Sequence, residues 1–126
     1  MSIPQDRKYS ESHEWYRVEG NTVVLGITQF AADELTDITY VELPQEGAAI
    51  KAGAAVGEIE SVKATSEVFT VVGGKVSAVN TALSDKPELI NEDAFGDGWI
   101  VKIEAADLAP LEKLMDAAAY AKVLGA

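Results

Sequence analysis

The sequence contains no cysteine among its 126 residues and a single histidine, His13. Without thiols, the chain can form neither disulfides nor thiolate metal sites, and it has no cysteine nucleophile. One imidazole leaves no histidine-rich metal cluster, and a Ser/His triad would have to use His13 itself. Any thiol redox chemistry must therefore depend on sulfur that an attached group brings.

Long apolar runs are also absent, since none approaches the roughly 20 residues that a membrane-spanning helix needs. Residues 1–6, with the sequence MSIPQD, contain neither the apolar core of a signal peptide nor the arginines of a transit peptide. These features predict a protein that stays in the compartment where it is made. We expect no membrane partner and a location in the cytoplasm, in a bacterial source.

Positive charge is scarce, because 10 lysines and arginines face 21 aspartates and glutamates, which gives a formal charge of −11. Such an excess of negative charge repels the phosphate backbone and argues against nucleic acid as a partner. It favours encounters with basic protein surfaces. Solubility alone is the alternative explanation, and the charge does not choose between the two.

The residues that are present suit one compact domain spanning 1–126. Hydrophobic residues make up 48% of the chain, which is enough for a packed core at this length. Strands are predicted at Glu14–Val18 and Thr22–Gly26, joined through Gly20 and Asn21, a typical hairpin signal. Thr28 is suited to cap a short helix over 29–35, with Phe30 and Glu34 on one face.

Short apolar runs punctuated by glycine fill the middle of the chain, and this pattern is typical of a small sandwich or flattened barrel. We predict further strands at Asp37–Leu43, Val56–Val62, Thr65–Val72, Lys75–Val79 and Trp99–Ile103. Residues 81–88 read as a loop with a possible helical turn, and residues 91–98 as a polar loop.

The C-terminal part is predicted to be helical. Leu108, Leu111, Leu114 and Met115 recur at helical spacing, which indicates an amphipathic helix. Asp116 is suited to cap a second helix over 117–124.

Lys63 lies between two predicted strands, at the tip of a hairpin, where its amine is held away from the body. An amide formed there would remove the charge and create a long arm, although most lysines are simply exposed surface residues. The surrounding segment 60–66, ESVKATS, resembles the lipoylation motif of glycine cleavage H proteins. In that motif the attachment residue would be Lys63, flanked by Glu60, Ser61, Val62, Ala64 and Ser66.

The resemblance extends along almost the whole chain in several blocks of the right order. These blocks are residues 12–15, 26–28, 41–44, 91–93 and 98–99. The resemblance implies a mainly β fold, a barrel-sandwich hybrid of two small sheets with short helices. It also implies lipoate covalently attached to Lys63.

What the family likeness implies for function is a carrier without catalysis of its own. It would receive an aminomethyl unit from a pyridoxal-phosphate glycine decarboxylase and pass the one-carbon unit to a tetrahydrofolate-dependent aminomethyltransferase. Dihydrolipoamide dehydrogenase would reoxidise the arm, and a lipoate-attaching enzyme would first modify the lysine.

A loaded arm would carry a protonated amine, and carboxylates and hydroxyls in a shielded cleft are suited to hold it. The candidates are Glu67 beside the arm, Glu14 from a distant strand, and the hydroxyls of Ser66 and Thr28. They are equally compatible with being ordinary polar surface residues.

Two departures from the family pattern concern turns, since Thr36 stands where glycine is usual and residues 69–74 lack the usual proline and serine.

Three alternatives stay open. A lipoyl or biotinyl domain of another complex would usually show Asp-Lys-Ala or Met-Lys-Met, and an H-like scaffold would be unmodified. A hydrolase would need partners for His13. The acidic residues Glu92, Asp93 and Asp97 lack EF-hand spacing, so no metal site is predicted.

Overall fold

The computed structural model describes residues 3–125, in which two antiparallel sheets form the body of the protein. The strands are β1 (Lys8–Tyr9), β2 (Glu14–Glu19), β3 (Thr22–Ile27), β4 (Ile38–Glu42), β5 (Ala49–Ile50), β6 (Ala55–Ser61), β7 (Thr65–Phe69), β8 (Gly74–Val79) and β9 (Val101–Ala105). The helices are α1 (Gln29–Leu35), α2 (Ala82–Asp85), α3 (Leu89–Glu92) and α4 (Ala117–Val123), with a 3-10 helix over Ala109–Lys113.

One sheet has six strands in the order β1-β2-β3-β9-β8-β5, and the other has three in the order β4-β6-β7. The main core lies between them and includes Leu25, Ile59, Val68, Val76 and Ile103, all almost completely buried. Burial of each such side chain contributes about 1.5–3 kcal/mol relative to leaving it exposed. The predicted mainly β sandwich of two sheets with short helices is confirmed.

Local signals placed the first elements correctly. Gly20, with φ +66°, forms the turn between β2 and β3, where glycine adopts a left-handed conformation without strain. Thr28 caps α1, because its side-chain oxygen accepts a hydrogen bond from the Ala31 N–H. Asp116 caps α4 in the same manner through the Ala119 N–H.

A second, smaller core fastens α4 to the large sheet. Tyr120 is the buried residue of this helix, and its ring stacks on Tyr9 with centroids 4.8 Å apart. Trp15 and Val24 complete the cluster from β2 and β3. The helix is therefore held on the sheet largely through one aromatic side chain.

The predicted amphipathic helix over 108–115 is wrong. The structure has a 3-10 helix over Ala109–Lys113, with Pro110 in its first turn. The chain is already extended at Leu114, and Met115 pairs with Tyr9 in a β-bridge. Proline is tolerated in the first turn of a helix, so Pro110 does not account for the early end. The bridge from Met115 to β1 takes the place of a further helical turn.

Strand boundaries differ at other points. The predicted strand 65–72 ends at Phe69, because the Thr70 hydroxyl bonds both the N–H and the C=O of Val72 and turns the chain. The short β5 and helix α3 were not predicted. No helix among residues 3–125 is long and apolar enough to cross a membrane.

Candidate functional site

Lys63 lies in the tight turn that joins β6 to β7, as the sequence predicts. The Ser61 hydroxyl organises this turn: it accepts hydrogen bonds from the N–H groups of Lys63 (3.1 Å) and Ala64 (3.0 Å) and donates to the Ala64 carbonyl (3.1 Å). The Ser61 N–H also donates to the Ala64 carbonyl at 2.8 Å. One short side chain thus fixes the backbone on both sides of the lysine.

The Lys63 side chain extends from the turn towards the C-terminal end of α1, where its Nζ donates to the Glu34 carbonyl at 3.3 Å. The backbone beside it is tied to the body through Val62, whose N–H donates to the Asp37 carbonyl at 3.0 Å. The Val62 side chain is 69% exposed, which is unusual for valine. The lysine is therefore accessible to a modifying enzyme.

A cleft of about 240 Å³ lies beside this lysine, between α1, the start of β2 and the middle of β7. Helix α1 contributes an apolar wall that includes Phe30, Ala31 and Leu35, together with Glu34. The opposite wall is polar and is formed by Ser12, His13, Glu14, Ser66 and Glu67. A mixed wall of this kind suits a flexible chain with an apolar stem and a polar end.

The structure brings Glu14 and Glu67 to this same cleft, but the two residues differ in burial and in hydrogen bonding. Glu14 is only 2% exposed, and its Oε1 accepts hydrogen bonds of 2.5 Å from the hydroxyls of Ser10 and Ser12. Its Oε2 accepts a hydrogen bond of 3.1 Å from the Phe69 N–H. Glu14 thus connects the large sheet to β7, whereas Glu67 is exposed.

Thr28 is fully buried and is not part of the cleft wall. Its hydroxyl is 2.7 Å from the Tyr120 hydroxyl and accepts from the Ala31 N–H at 3.3 Å. Any influence of Thr28 on a bound arm must therefore pass through these neighbours.

The remaining motif residues surround the turn. Glu60 is exposed and lies in register with Tyr40 on one side and Thr65 on the other. Ala64 is exposed within the turn, and Ser66 lines the cleft.

Two residues further from the turn than Glu60, the small sheet carries a row of carboxylates. Glu42 pairs with Glu58, and Glu58 pairs with Glu67, so three glutamates stand side by side across β4, β6 and β7. Like charges directly opposite one another destabilise a sheet. The row therefore concentrates negative charge close to Lys63 at some cost in stability.

Sequence reasoning did not assign His13 and Ser12 to the cleft. The His13 ring lies 4.9 Å from that of Phe30. Ser12 lies in the turn before β2, so the alternation of that strand gave no signal for its position. Among residues 3–125, no group of three or more His, Asp or Glu side chains could hold a metal ion.

Comparisons with known proteins give the family and the fold that this chain resembles. The profile of the glycine cleavage H-protein family matches residues 7–126. The glycine cleavage system H proteins of Bacillus cereus (strain AH820) and Bacillus anthracis (strain A0248) are each 53% identical over 123 residues, which cover 98% of this chain and 97% of theirs. The crystal structure of a glycine cleavage system H protein from Mycobacterium marinum matches with a TM-score of 0.89 at 35% identity, covering 98% of this chain and 100% of that one.

Proposed function

This chain belongs to the glycine cleavage H-protein family, and from that premise we propose that it is a carrier whose lipoate is attached to Lys63. The observation that carries the proposal is the turn of residues 61–64, which holds an exposed primary amine at a hairpin tip beside a cleft. Amide formation at Nζ would remove the lysine charge and leave the stem as part of a long arm.

Lipoate, when attached, supplies a disulfide that can accept a one-carbon amine unit from one enzyme and release it to another. The partners we propose are a pyridoxal-phosphate glycine decarboxylase, a tetrahydrofolate-dependent aminomethyltransferase, dihydrolipoamide dehydrogenase and a lipoate-attaching enzyme. This chain would attach the arm, carry it to each partner and shelter the loaded group between partners. Tethering raises the effective concentration of the carried group at each partner's active site.

Shelter is the proposed role of the cleft. The exposed Glu67 carboxylate and the Ser66 hydroxyl are suited to contact a protonated amine directly. Glu14 would act mainly through the field of its buried carboxylate, because both of its oxygens are already hydrogen bonded. Thr28 would contribute indirectly, through the cap of α1 and through Tyr120.

We further propose that the carrier has no catalytic rate of its own. The His13 ring is bonded to the Tyr120 hydroxyl rather than to a nucleophile, so the arrangement of nucleophile, base and orienting group is not assembled there. Lipoylated protein given glycine and tetrahydrofolate without partner enzymes should release no carbon dioxide. A cytoplasmic location remains a prediction.

The direct test of the carrier role is Lys63→Arg, which keeps the charge but removes the acylated amine. Glycine cleavage in a system reconstituted with all partner enzymes should fall to background, while the free energy of unfolding stays unchanged because Lys63 is exposed. Lys51→Arg, at another exposed turn lysine, is the matched control and should keep full activity. Robust glycine cleavage by the Lys63 variant would refute the assignment.

Shelter is tested separately through the lifetime of the loaded arm after the decarboxylase is removed. Glu67→Gln should shorten this lifetime about tenfold, through loss of a charge-assisted contact to the amine. Glu14→Gln should also shorten it, through loss of the field of its buried carboxylate. Release of ammonia and formaldehyde is followed with time. Lifetimes equal to that of the parent in both variants would show that the cleft does not protect the arm.

A further inference from the structure

His13 occupies an unusual position in the cleft wall. Its φ of +70° lies in the left-handed region, which only a few per cent of non-glycine residues adopt, although histidine is among those that do so more often. This conformation places the ring against Phe30 of α1 and directs the His13 carbonyl to accept from the Thr28 N–H at 2.9 Å. The residue is thus held between the cleft and the buried layer beneath it.

A hydrogen-bond chain of three side chains runs from His13 into the interior. The His13 Nδ1 is 2.7 Å from the Tyr120 hydroxyl, which is itself 2.7 Å from the Thr28 hydroxyl. Tyr120 is also the buried residue through which α4 is fastened to the large sheet. Burial raises the pKa of Tyr120 above its usual value, so the hydroxyl keeps its proton at neutral pH.

Which group donates in each of these hydrogen bonds follows from Thr28, the residue at the buried end. Thr28 is 0% exposed, and its oxygen already accepts from the Ala31 N–H, so its hydroxyl proton needs an acceptor. Among residues 3–125, the Tyr120 oxygen is the acceptor within hydrogen-bond distance of it. Tyr120 must then donate its own proton onward, and the acceptor is Nδ1 of His13.

With Nδ1 acting as an acceptor, the proton of the neutral imidazole resides on Nε2. No group within residues 3–125 forms a hydrogen bond with Nε2. The ring can therefore offer an N–H donor to a ligand in the cleft.

We propose that Tyr120 is a positioning residue that fixes His13 as the Nε2–H tautomer, so that the cleft presents an N–H donor to an acceptor atom of the lipoyl arm. The acceptor is the amide carbonyl or a sulfur of the arm, since a protonated amine has no free lone pair. The donor on the histidine side and the carboxylates of Glu14 and Glu67 would then orient the arm, with its amine directed to the acids. This inference rests on the proposed function, but its first test does not.

The first test uses unmodified protein. Because the sequence contains one histidine, the nitrogen-15 spectrum of its side chain reports His13 alone. The parent protein should show the Nε2–H tautomer, and Tyr120→Phe, which keeps the ring stack but removes the hydroxyl, should give a mixture of tautomers. Tyr9→Phe is the matched control, since it removes a hydroxyl of the same stack that bonds the Pro4 carbonyl, and it should leave the tautomer unchanged.

The second test uses the loaded arm. Tyr120→Phe should shorten its lifetime about threefold to tenfold, the range for one hydrogen bond between neutral groups. His13→Asn, which tolerates the left-handed backbone, should have a similar effect. If Tyr120 acts through His13, adding Tyr120→Phe to His13→Asn should cause no further loss.

Several results would overturn the inference. The Nδ1–H tautomer in the parent, or an unchanged tautomer in Tyr120→Phe, would refute the hydrogen-bond chain whether or not Lys63 is lipoylated. The expected tautomers with an unchanged lifetime, or additive losses in the double variant, would refute the link to the arm. Absence of lipoate from Lys63 would refute the proposed function and leave the tautomer result standing.

Discussion

The two ends of the β6–β7 hairpin are built in opposite ways. At the tip, residues 61–64 are largely exposed, and one serine hydroxyl orders the turn around Lys63. At the base, the Glu14 carboxylate accepts from the Phe69 N–H, and the Tyr16 hydroxyl bonds both the Phe69 carbonyl and the Val71 N–H. The reactive group can therefore be changed with little cost to folding, whereas the base of the hairpin fixes where that group stands.

The largest effect on stability is expected at the base. Glu14→Gln replaces a charged acceptor of three hydrogen bonds with a neutral amide, whose oxygen can still accept from the Phe69 N–H only if its NH₂ group faces the two serine hydroxyls, which must then accept instead of donate. The charge-assisted hydrogen bonds of a buried group are therefore lost. Unfolding in urea should show a loss of about 1.5–3 kcal/mol. The matched control Glu67→Gln changes an exposed residue of the same hairpin and should stay within about 0.5 kcal/mol. Equal losses of stability in both variants would show that the buried, hydrogen-bonded acid contributes no more to the free energy of unfolding than the exposed one.

Tyr16 should make the stability of the fold at the base of the β6–β7 hairpin sensitive to alkaline pH. Burial raises the pKa of Tyr16, and the charge of Glu14 adds to the shift, so the hydroxyl is protonated in the folded state well above pH 10. The unfolded-state pKa is about 10, so this stabilisation is complete below that pH and is lost as the pH rises towards the folded-state value. The free energy of unfolding should therefore fall above about pH 10 in the parent and less steeply in Tyr16→Phe. Identical slopes would contradict this role.

A smaller gain in stability is expected where α1 ends, close to Lys63. Thr36 has φ +62° and ψ −144°, a region that β-branched residues avoid, which explains why glycine at this position suits the turn. Thr36→Gly should stabilise the fold by about 1 kcal/mol, because relief of strain exceeds the entropy that glycine costs. A loss of stability measured by urea unfolding would mean that the threonine side chain contributes more than its backbone strain removes.

The smallest effect concerns docking at the tip. Replacing Glu42, Glu58 and Glu67 with glutamine removes the row of charge beside Lys63 and should slow association with a partner enzyme several-fold at low salt. It should also flatten the decrease in association rate as salt rises, which stopped-flow measurements report. The control replaces Glu88, Glu104 and Glu112, three exposed acids outside the small sheet. An equal effect of both triple variants would show that net charge, and not this row, steers the encounter.

Sequence reasoning succeeded where the signal is local. Gly20 marks a hairpin, Thr28 and Asp116 cap helices, and the motif around Lys63 places the lysine on a turn, because each feature depends on a few neighbouring residues. It failed over 108–115, where helical spacing was outweighed by the pairing of Met115 with Tyr9.

The parts of the site that could not be predicted depend on contacts between distant segments. Glu14 meets Phe69 across 55 residues, and His13 meets Tyr120 across 107, and no local pattern encodes either pair. The burial of Glu14 and Thr28 likewise follows from the packing of the two sheets. The sequence identified Glu14, Thr28 and Glu67 as polar candidates. Only the fold shows that Glu67 is exposed and that Glu14 is buried.

The most direct test of the carrier assignment is the intact mass of the protein purified from its native host, followed by peptide mapping. We expect one lipoyl group, located on Lys63, and no such group on Lys63→Arg expressed in the same host. An unmodified chain, a biotinyl group, or lipoate on any other lysine would refute the carrier assignment.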